Sequence, residues 1–153
     1  MDYIKYIREK VGNDILIMVG CGAFIYKDGK VLLQKRRDNG CWGSHGGYME
    51  IGETTEETVR REVFEETGLI AGELEFLGVY SGPDMIFSYS NGDNVCLVNI
   101  VYICQDFSGE MLNETEETLE LKWFDIDNLP NEFSATDRRF VDDFILWANN
   151  AGI

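Results

Sequence analysis

Short apolar segments recur along the chain, and their spacing predicts strands that are joined by tight turns. Two mostly apolar runs, at 15–26 and 31–37, flank Asp28-Gly29, a dipeptide that is typical of a hairpin turn. Residues 38–48 between the second run and the next element are rich in glycine and predict a loop. Further strands are predicted at 73–81, 85–89, 95–105 and 119–125, with breaks at Gly82-Pro83 and at 91–93.

Helical spacing occurs near both ends of the sequence. Ile4, Ile7 and Val11 predict an amphipathic helix at 3–10, which could pack on the domain or contribute to a homodimer. A last helix is predicted from Ser134, with Asp137, to about residue 150, and its inward positions are Phe140, Val141, Phe144, Ile145 and Ala148.

A third helix is predicted at 55–67 from its end signals. Thr54 is a favourable N-cap, Glu57 three residues later completes a capping box, and Gly68 suits a left-handed C-cap. The spacing predicts a buried face that is formed by Val59 and Val63, with Phe64 beside them.

Three glutamates crowd one face of this helix. Glu62, Glu65 and Glu66 are spaced by three and four residues, and like charges at that spacing destabilise a helix by roughly 0.2–0.5 kcal/mol per pair. A solvated face is one explanation. The other is a hard divalent cation such as Mg²⁺, which binds carboxylates, water and substrate phosphate oxygens. The residues alone leave both explanations open.

Composition limits the class of protein. A chain of 153 residues with 44% apolar residues predicts one globular domain, 1–153. We expect neither a membrane span nor a signal sequence, because no segment has the necessary apolar length. Four cysteines without CxxC spacing indicate reduced thiols in the cytoplasm. The net charge of −15 disfavours a broad nucleic-acid or membrane surface, but it permits a small phosphate ligand beside a cation.

Residues 47–69 resemble the signature of the Nudix hydrolases, G-x5-E-x7-R-E-U-x-E-E-x-G-U, in which U is aliphatic. The signature positions are filled by Gly47, Glu53, Arg61, Glu62, Val63, Glu65, Glu66, Gly68 and Leu69. A chance match of the seven fixed residues has a probability on the order of 10⁻⁷ or less. The resemblance implies an α/β fold, the Nudix-type α/β/α sandwich with a mixed central sheet, which agrees with the predicted elements.

The resemblance also implies a metal site and its supporting residues. Glu62, Glu65 and Glu66 match metal-ligand positions of the family, and the Mg²⁺ ion, or Mn²⁺ in its place, would take a further carbonyl ligand. That carbonyl belongs to Gly46 or Gly47. The remaining charged signature residues, Glu53 and Arg61, match supporting roles, in which Arg61 makes a bidentate pair with a carboxylate.

The general base of this family often lies outside the signature. Glu117 in the acidic loop 110–117 is our candidate for that base, and Glu116 and Glu120 are the alternatives. His45, the only histidine, stands where related proteins commonly carry proline. It is either an acid for the leaving group or a loop residue.

The side chains that bind substrate are predicted from less specific features. Arg36 and Arg37, just before the glycine-rich loop, either pair with acids or steady a phosphate. Pro83 lies fourteen residues past the signature, close to a position where ADP-ribose-specific relatives often carry proline. Aromatic side chains that either stack on a base or fill the core are Trp42, Tyr80, Phe87 and Tyr89.

The resemblance therefore implies hydrolysis of a nucleoside diphosphate linked to another moiety, such as ADP-ribose, to a nucleoside monophosphate and a phosphorylated product. One alternative is a house-cleaning nucleoside triphosphate pyrophosphohydrolase. Another is a domain that senses a nucleotide without hydrolysing it.

Overall fold

The computed structural model describes residues 2–112 and 114–150. Within these residues the α-helices are α1 (Tyr3–Val11), α2 (Thr55–Thr67) and α3 (Arg138–Asn150), and short 3-10 helices occupy Pro83–Met85 and Ala135–Asp137. The strands are β1 (Leu16–Lys27), β2 (Lys30–Arg36), β3 (Trp42–Gly43), β4 (His45–Tyr48), β5 (Leu69–Ala71), β6 (Glu75–Tyr80), β7 (Ile86–Ser88), β8 (Asn94–Cys104), β9 (Phe107–Gly109) and β10 (Thr118–Asp125).

The main sheet is mixed, with strands in the order β10-β2-β1-β8-β6. β3 pairs with β2, β4 with β1, and β7 with β8 at its margins. The two longest strands, β1 and β8, run parallel in register from Leu16 opposite Val95 to Ile25 opposite Cys104. A parallel pair requires a crossover connection, and α2 lies within it. The predicted α/β class with a mixed sheet is confirmed.

A hydrophobic core lies on each face of this sheet. On one face, Val59 and Val63 of α2 are fully buried against strand residues such as Ala23. On the other face, Phe144 of α3 stacks on Phe24 of β1, with ring centroids 4.2 Å apart. The helices therefore form the two outer layers of a sandwich, with the sheet between them.

Helix α2 begins and ends at the predicted residues. The Thr54 and Glu57 side chains exchange hydrogen bonds with each other's backbone N–H, which completes the capping box. Gly68 closes the helix in the left-handed conformation, with φ of 80°. The placement of Phe64 on the buried face was wrong, because its side chain is 55% exposed.

Two small strand pairings were not predicted from the sequence, and the first of them falls in the predicted loop 38–48. Residues of β4 pair with β1, so that Gly46 lies opposite Gly22, and a side chain at either position would collide with the other strand's backbone. A separate two-stranded sheet joins β5 to β9. The last helix also differs from its prediction. It starts at Arg138 after a 3-10 turn, and Ser134 makes no capping hydrogen bond through its side chain.

The four cysteines are free thiols, and two of them, Cys21 and Cys104, are buried in strands. Among the helices that the structure describes, none combines the length and apolarity needed to cross a bilayer. The cytoplasmic location, the single-domain boundary and the homodimer stay predictions.

Candidate active site

A cleft of about 1180 Å³ brings the signature residues together with segments that are distant in sequence. Its walls include residues of α2, β4, β7 and the turn before α3. The cleft is lined by many of the predicted site residues, among them Arg36, Arg37, Trp42, Gly46, Gly47, Arg61, Glu62, Glu65, Glu66, Glu116 and Glu117.

Glu66 is the most buried carboxylate at this site, with 3% of its surface exposed. Its Oε1 atom accepts hydrogen bonds from the Gly46 N–H, at 2.9 Å, and from Gln34 Nε2, at 3.0 Å. Burial, and then the neighbouring charge of Glu62, raise the pKa of Glu66 well above its ordinary value. A carboxylate in this setting requires a cation or a proton.

Glu62 lies one turn earlier, against the glycines of β4. A Cβ atom at Gly47 would overlap the Glu62 carboxylate, so glycine at this position makes room for the side chain. Burial raises the pKa of Glu62, although the nearby Arg61 guanidinium opposes the shift. The close backbone approach that was predicted for the paired glycines is therefore made, at Gly47, to the carboxylate of Glu62.

Arg61 and Glu53 form a bidentate ion pair beside the carboxylates. Arg61 Nε lies 2.8 Å from Glu53 Oε2, and Nη2 lies 2.9 Å from Oε1. The same guanidinium donates to Glu62 Oε1 at 2.8 Å and to the Tyr48 carbonyl at 3.1 Å. The hydrogen bonds from Arg61 lower the pKa of Glu53 to about 2. This pair holds Glu62 in place.

Glu65 has a different environment, because its side chain is 55% exposed. Its Oε1 atom lies 3.5 Å from Arg61 Nη1, and it lines the cleft. The predicted trio thus consists of one buried carboxylate, Glu66, one partly buried carboxylate, Glu62, and one that faces solvent, Glu65.

The donor set fits a hard divalent cation that also binds substrate. In residues 2–112 and 114–150, no three acidic, histidine or cysteine side chains converge closely enough to enclose a metal ion by themselves. Mg²⁺ seldom uses such a cage and is bound by one or two carboxylates, several waters and substrate phosphates. Glu62, Glu65 and the free Oε2 atom of Glu66 supply ligands of that kind.

His45 is fully buried at the start of β4. Its Nε2 lies 2.9 Å from the Leu32 carbonyl oxygen, and burial lowers the pKa of the ring to about 4. Its Nδ1 atom has no hydrogen-bond partner and lies 3.8 Å from Glu66 Oε1. The ring has no contact with solvent, so the geometry does not favour the leaving-group acid.

The loop acids divide into two groups. Glu116 and Glu117 line the cleft, and the charge of Glu117 acts on both Glu62 and Glu66. Glu120 lies in β10 opposite Lys35, and it is not among the described residues that line the cleft.

Away from the carboxylates, the cleft is lined by aromatic and amide side chains. The hydroxyl groups of Tyr48 and Tyr89 lie 2.7 Å apart, and the rings of Phe87 and Tyr89 meet edge to face at 5.2 Å. Asn91 and Asn99 add amide groups to the same cleft. We call Tyr48, Phe87, Tyr89, Asn91 and Asn99 the aromatic end.

Arg36 interacts electrostatically with both parts of the cleft, with Glu66 on one side and Tyr89 on the other. It makes a bidentate pair with Asp38, with both distances at 3.0 Å. Arg37 pairs with Glu114 at 2.8 Å on the surface. Both arginines thus pair with acids while they line the cleft.

Two predicted substrate residues, Tyr80 and Pro83, lie outside this cleft. Tyr80 is 5% exposed, packs against Phe140 in the α3 core and donates its hydroxyl to Asp143 at 2.8 Å. Pro83 begins the 3-10 helix before β7. Neither residue is among the described residues that line the cleft, so the structure disagrees with both assignments. Trp42 lines the cleft but also packs edge to face on Phe124 at 4.9 Å.

Two polar residues near the site were not predicted from the sequence, the buried Gln34 and the partly buried Asp137. Gln34 is 1% exposed although it lies in the apolar strand β2. Asp137 lines the cleft, and burial raises its pKa to about 6. The signal for Gln34 was a polar residue at an inward position of an apolar strand, where hydrogen-bond partners are required.

Comparisons with known proteins agree with this architecture. The model of the NUDIX domain matches residues 17–144. An ADP-ribose pyrophosphatase of Methanocaldococcus jannaschii is 38% identical over 86% of this chain and 75% of its own length. An oxidized purine nucleoside triphosphate hydrolase of Danio rerio is 33% identical over 80% of this chain and 72% of its own length. A MutT NUDIX hydrolase structure from Burkholderia pseudomallei is 35% identical and superposes with a TM-score of 0.71, covering 84% of this chain and 98% of that one.

The fold and the carboxylate-lined cleft define a hydrolase of pyrophosphate bonds. The chain belongs to the NUDIX family. Members of this family generally use a divalent metal ion and act on small nucleotide substrates.

Proposed function

We propose that this protein hydrolyses the diphosphate of ADP-ribose, or of a closely similar nucleoside diphosphate derivative. The products are a nucleoside monophosphate and a phosphorylated sugar, and the cofactor is Mg²⁺, with Mn²⁺ as a substitute. The main observation in support of this proposal is that a single cleft contains both the carboxylates of α2 and the aromatic end. The similarity to the archaeal ADP-ribose pyrophosphatase supports the proposal.

In the proposed mechanism, the metal would be held by Glu62, Glu65, Glu66 and the carbonyl of Gly46 or Gly47. When bound there, a divalent cation would supply neutralisation of the charge that develops on the diphosphate and would lower the pKa of water. Glu53 acts through Arg61, whose guanidinium donates to Glu62 and so orients a ligand.

Glu117 takes the proton from the attacking water in this proposal. The reason is its place in the cleft, where its charge acts on both Glu62 and Glu66. Glu116 lines the same cleft and is the alternative. The position of Glu120 outside the lining makes it the weakest candidate of the three.

The aromatic end binds the nucleobase. Phe87 and Tyr89 offer ring faces and edges, and Asn91 and Asn99 offer donors and acceptors to the edge of a base. Arg36 lines the cleft and interacts electrostatically with Glu66 and with Tyr89, which suits a side chain that steadies the diphosphate. Arg37 is more exposed than Arg36 and helps to bind the diphosphate at the edge of the cleft. Trp42 forms part of the cleft wall.

The second candidate function is removal of noncanonical nucleoside triphosphates with release of pyrophosphate. The similarity to the zebrafish oxidized purine nucleoside triphosphate hydrolase favours it. The sensing alternative has less support, because the metal signature is complete and its carboxylates line the cleft.

A nucleotide panel tests the proposal. The panel contains ADP-ribose, other nucleoside diphosphate sugars, and ordinary and oxidised deoxynucleoside triphosphates, each with Mg²⁺ and with EDTA, and mass spectrometry identifies the products. We expect the highest kcat/KM for ADP-ribose, with AMP and a sugar phosphate formed only with metal. A far higher kcat/KM for any triphosphate would replace this proposal with the second candidate.

A further inference from the structure

A network of buried polar side chains connects α2 to the far edge of the main sheet. Gln34 of β2, His45 of β4, Glu66 of α2 and Thr118 of β10 are each at most 3% exposed. The hydroxyl of Thr118 lies 2.6 Å from Gln34 Oε1, and Gln34 Nε2 lies 3.0 Å from Glu66 Oε1. Gln34 therefore lies at the centre of the network and contacts both of its ends.

The orientation of the Gln34 amide follows from its partners. Nε2 faces the Glu66 carboxylate and the Ser44 carbonyl oxygen, which lies 3.1 Å away, and the carbonyl and the ionised carboxylate both accept hydrogen bonds. The amide oxygen consequently faces Thr118, whose hydroxyl must donate to it. A reversed amide would lose the hydrogen bonds to Glu66 and Ser44, because it would place an acceptor against each of these acceptors.

This orientation determines which oxygen of Glu66 is available to a ligand. Gln34 Nε2 and the Gly46 N–H both donate to Oε1. Because both donors use the same oxygen, Oε2 is left as the atom of Glu66 that can face a cation. Gln34 thus fixes the rotation of a predicted metal ligand.

The other end of the network reaches the acidic loop. Thr118 follows Glu117 directly, at a point where the register between β10 and β2 shifts. The side-chain oxygen of Thr115 accepts from the N–H groups of Glu117, at 3.3 Å, and Thr118, at 3.1 Å. Arg37 N–H donates to the Glu117 carbonyl at 3.0 Å. The Thr118 hydroxyl therefore anchors the segment that carries the candidate base.

We propose that Gln34 is a positioning residue that couples the metal ligand Glu66 to the loop that carries Glu117. A buried apolar side chain would suffice to fill this position of β2, and burying an amide is unfavourable unless its hydrogen bonds are made. The polar network therefore indicates a role beyond packing. This inference rests on the proposed function, because it assigns Glu66 and Glu117 the roles given there.

Two variants separate the two arms of the network. Gln34→Met removes the amide at similar length, and Thr118→Val removes the hydroxyl at nearly the same shape. Leu33→Met is the matched control, since Leu33 is the adjacent fully buried residue of β2 and packs in the opposite core. Thermal unfolding in EDTA establishes that each variant is folded.

The first measurement is the dissociation constant for Mn²⁺ without nucleotide, from electron paramagnetic resonance of the free ion. We expect Gln34→Met to weaken Mn²⁺ binding by about 10-fold or more, as is typical when a partner of a metal ligand is lost. Leu33→Met should bind as the wild type does. Wild-type affinity in Gln34→Met, or an equal loss in Leu33→Met, would overturn the role of Gln34.

The second measurement is kcat at saturating metal. Thr118→Val should lower kcat by about 10-fold while its Mn²⁺ affinity stays within about twofold of wild type, and Thr118→Ser, which keeps the hydroxyl, should restore kcat. The double variant Gln34→Met/Thr118→Val should have the kcat of Gln34→Met alone, because both changes break one connection. Full activity in Thr118→Val, or additive losses in the double variant, would overturn the coupling.

The two measurements keep this inference distinguishable from the proposed function. If the wild type hydrolyses none of the nucleotides, the proposed function fails, and the Mn²⁺ measurement still decides whether Gln34 positions Glu66. If Gln34→Met does not fold, the contrast between Thr118→Val and Thr118→Ser decides the coupling.

Discussion

The carboxylate end and the aromatic end of the cleft are assembled in opposite ways. Glu62, Glu65 and Glu66 come from a single helix turn and its neighbour, so helical spacing places them together. Tyr48, Phe87, Tyr89, Asn91 and Asn99 come from separate segments that only the folded sheet brings together. The metal-binding carboxylates can therefore be predicted from the sequence, because their arrangement is local. The residues that select the substrate cannot be predicted in this way, because their arrangement depends on long-range strand pairing.

The electrostatics of the two ends also differ. At the carboxylate end, burial raises the pKa values of Glu62 and Glu66, which favours a cation there. At the aromatic end, the hydroxyl groups of Tyr48 and Tyr89 are neutral at their ordinary pKa, and burial raises both pKa values further. One end is suited to a charged diphosphate with its metal, and the other is suited to a neutral base.

The largest effect is expected at the carboxylate end. Glu65→Gln should lower kcat by about 10³-fold, because metal stabilisation of the transition state is worth several kcal/mol. Its free energy of unfolding should change by less than about 1 kcal/mol, since the half-exposed pair with Arg61 is weak. Steady-state kinetics and urea unfolding measure both quantities. Glu56→Gln, an exposed change on the same helix, is the control, and near-wild-type turnover in Glu65→Gln would refute the metal assignment.

The candidate base should have the next largest effect. Glu117→Gln should lower kcat by about 10²-fold, the lower limit for general-base help, and leave Mn²⁺ affinity nearly unchanged. Glu116→Gln is the matched variant, because it neutralises the adjacent acid in the same cleft. A silent Glu117→Gln together with an impaired Glu116→Gln would move the role to Glu116.

Changes to the ion pair between Arg61 and Glu53 should lower kcat less than changes to the metal-binding carboxylates. Arg61→Lys should reduce kcat by about 10-fold, because lysine cannot reproduce the bidentate contact with Glu53 and the bond to Glu62. Arg60→Lys, one residue earlier and bonded to the Gly72 carbonyl, is the control for the helix. Equal turnover in both variants would contradict the orienting role.

At the aromatic end we expect a change in KM and not in kcat. Tyr89→Ala should raise KM by roughly 5- to 10-fold, which corresponds to about 1 kcal/mol of lost stacking. Tyr80→Phe should leave KM unchanged and lower stability, because its hydroxyl bonds Asp143 away from the cleft. A higher KM in Tyr80→Phe would restore the sequence prediction for Tyr80.

The smallest effect concerns stability at acidic pH. The pKa of Glu53 is about 2 in the folded protein, against an ordinary value of 4.5, so its ionised form stabilises the fold above about pH 4.5. This contribution is lost as pH falls towards 2. We therefore expect the difference in the free energy of unfolding between wild type and Glu53→Gln to become smaller as pH falls from 4.5 to 2. Urea unfolding in EDTA measures this difference. A constant difference would contradict the depressed pKa.

The residues that could be predicted share one property, which is that their signals are local. Thr54 and Gly68 marked the ends of α2 because capping involves only neighbouring residues. β4 was missed because His45 and two glycines have little strand preference, and pairing with the glycines of β1 makes them a strand. Tyr80 was misassigned because sequence does not show on which face of the sheet an aromatic residue lies.

The most direct test of the two-ended cleft is Mn²⁺ binding without nucleotide, compared between Glu62→Gln and Tyr89→Ala. We expect Glu62→Gln to weaken binding by about 10-fold or more, since it removes a ligand charge, and Tyr89→Ala to bind as the wild type does. Unchanged affinity in Glu62→Gln, or an equal loss in Tyr89→Ala, would contradict the separation of a metal end from a base end.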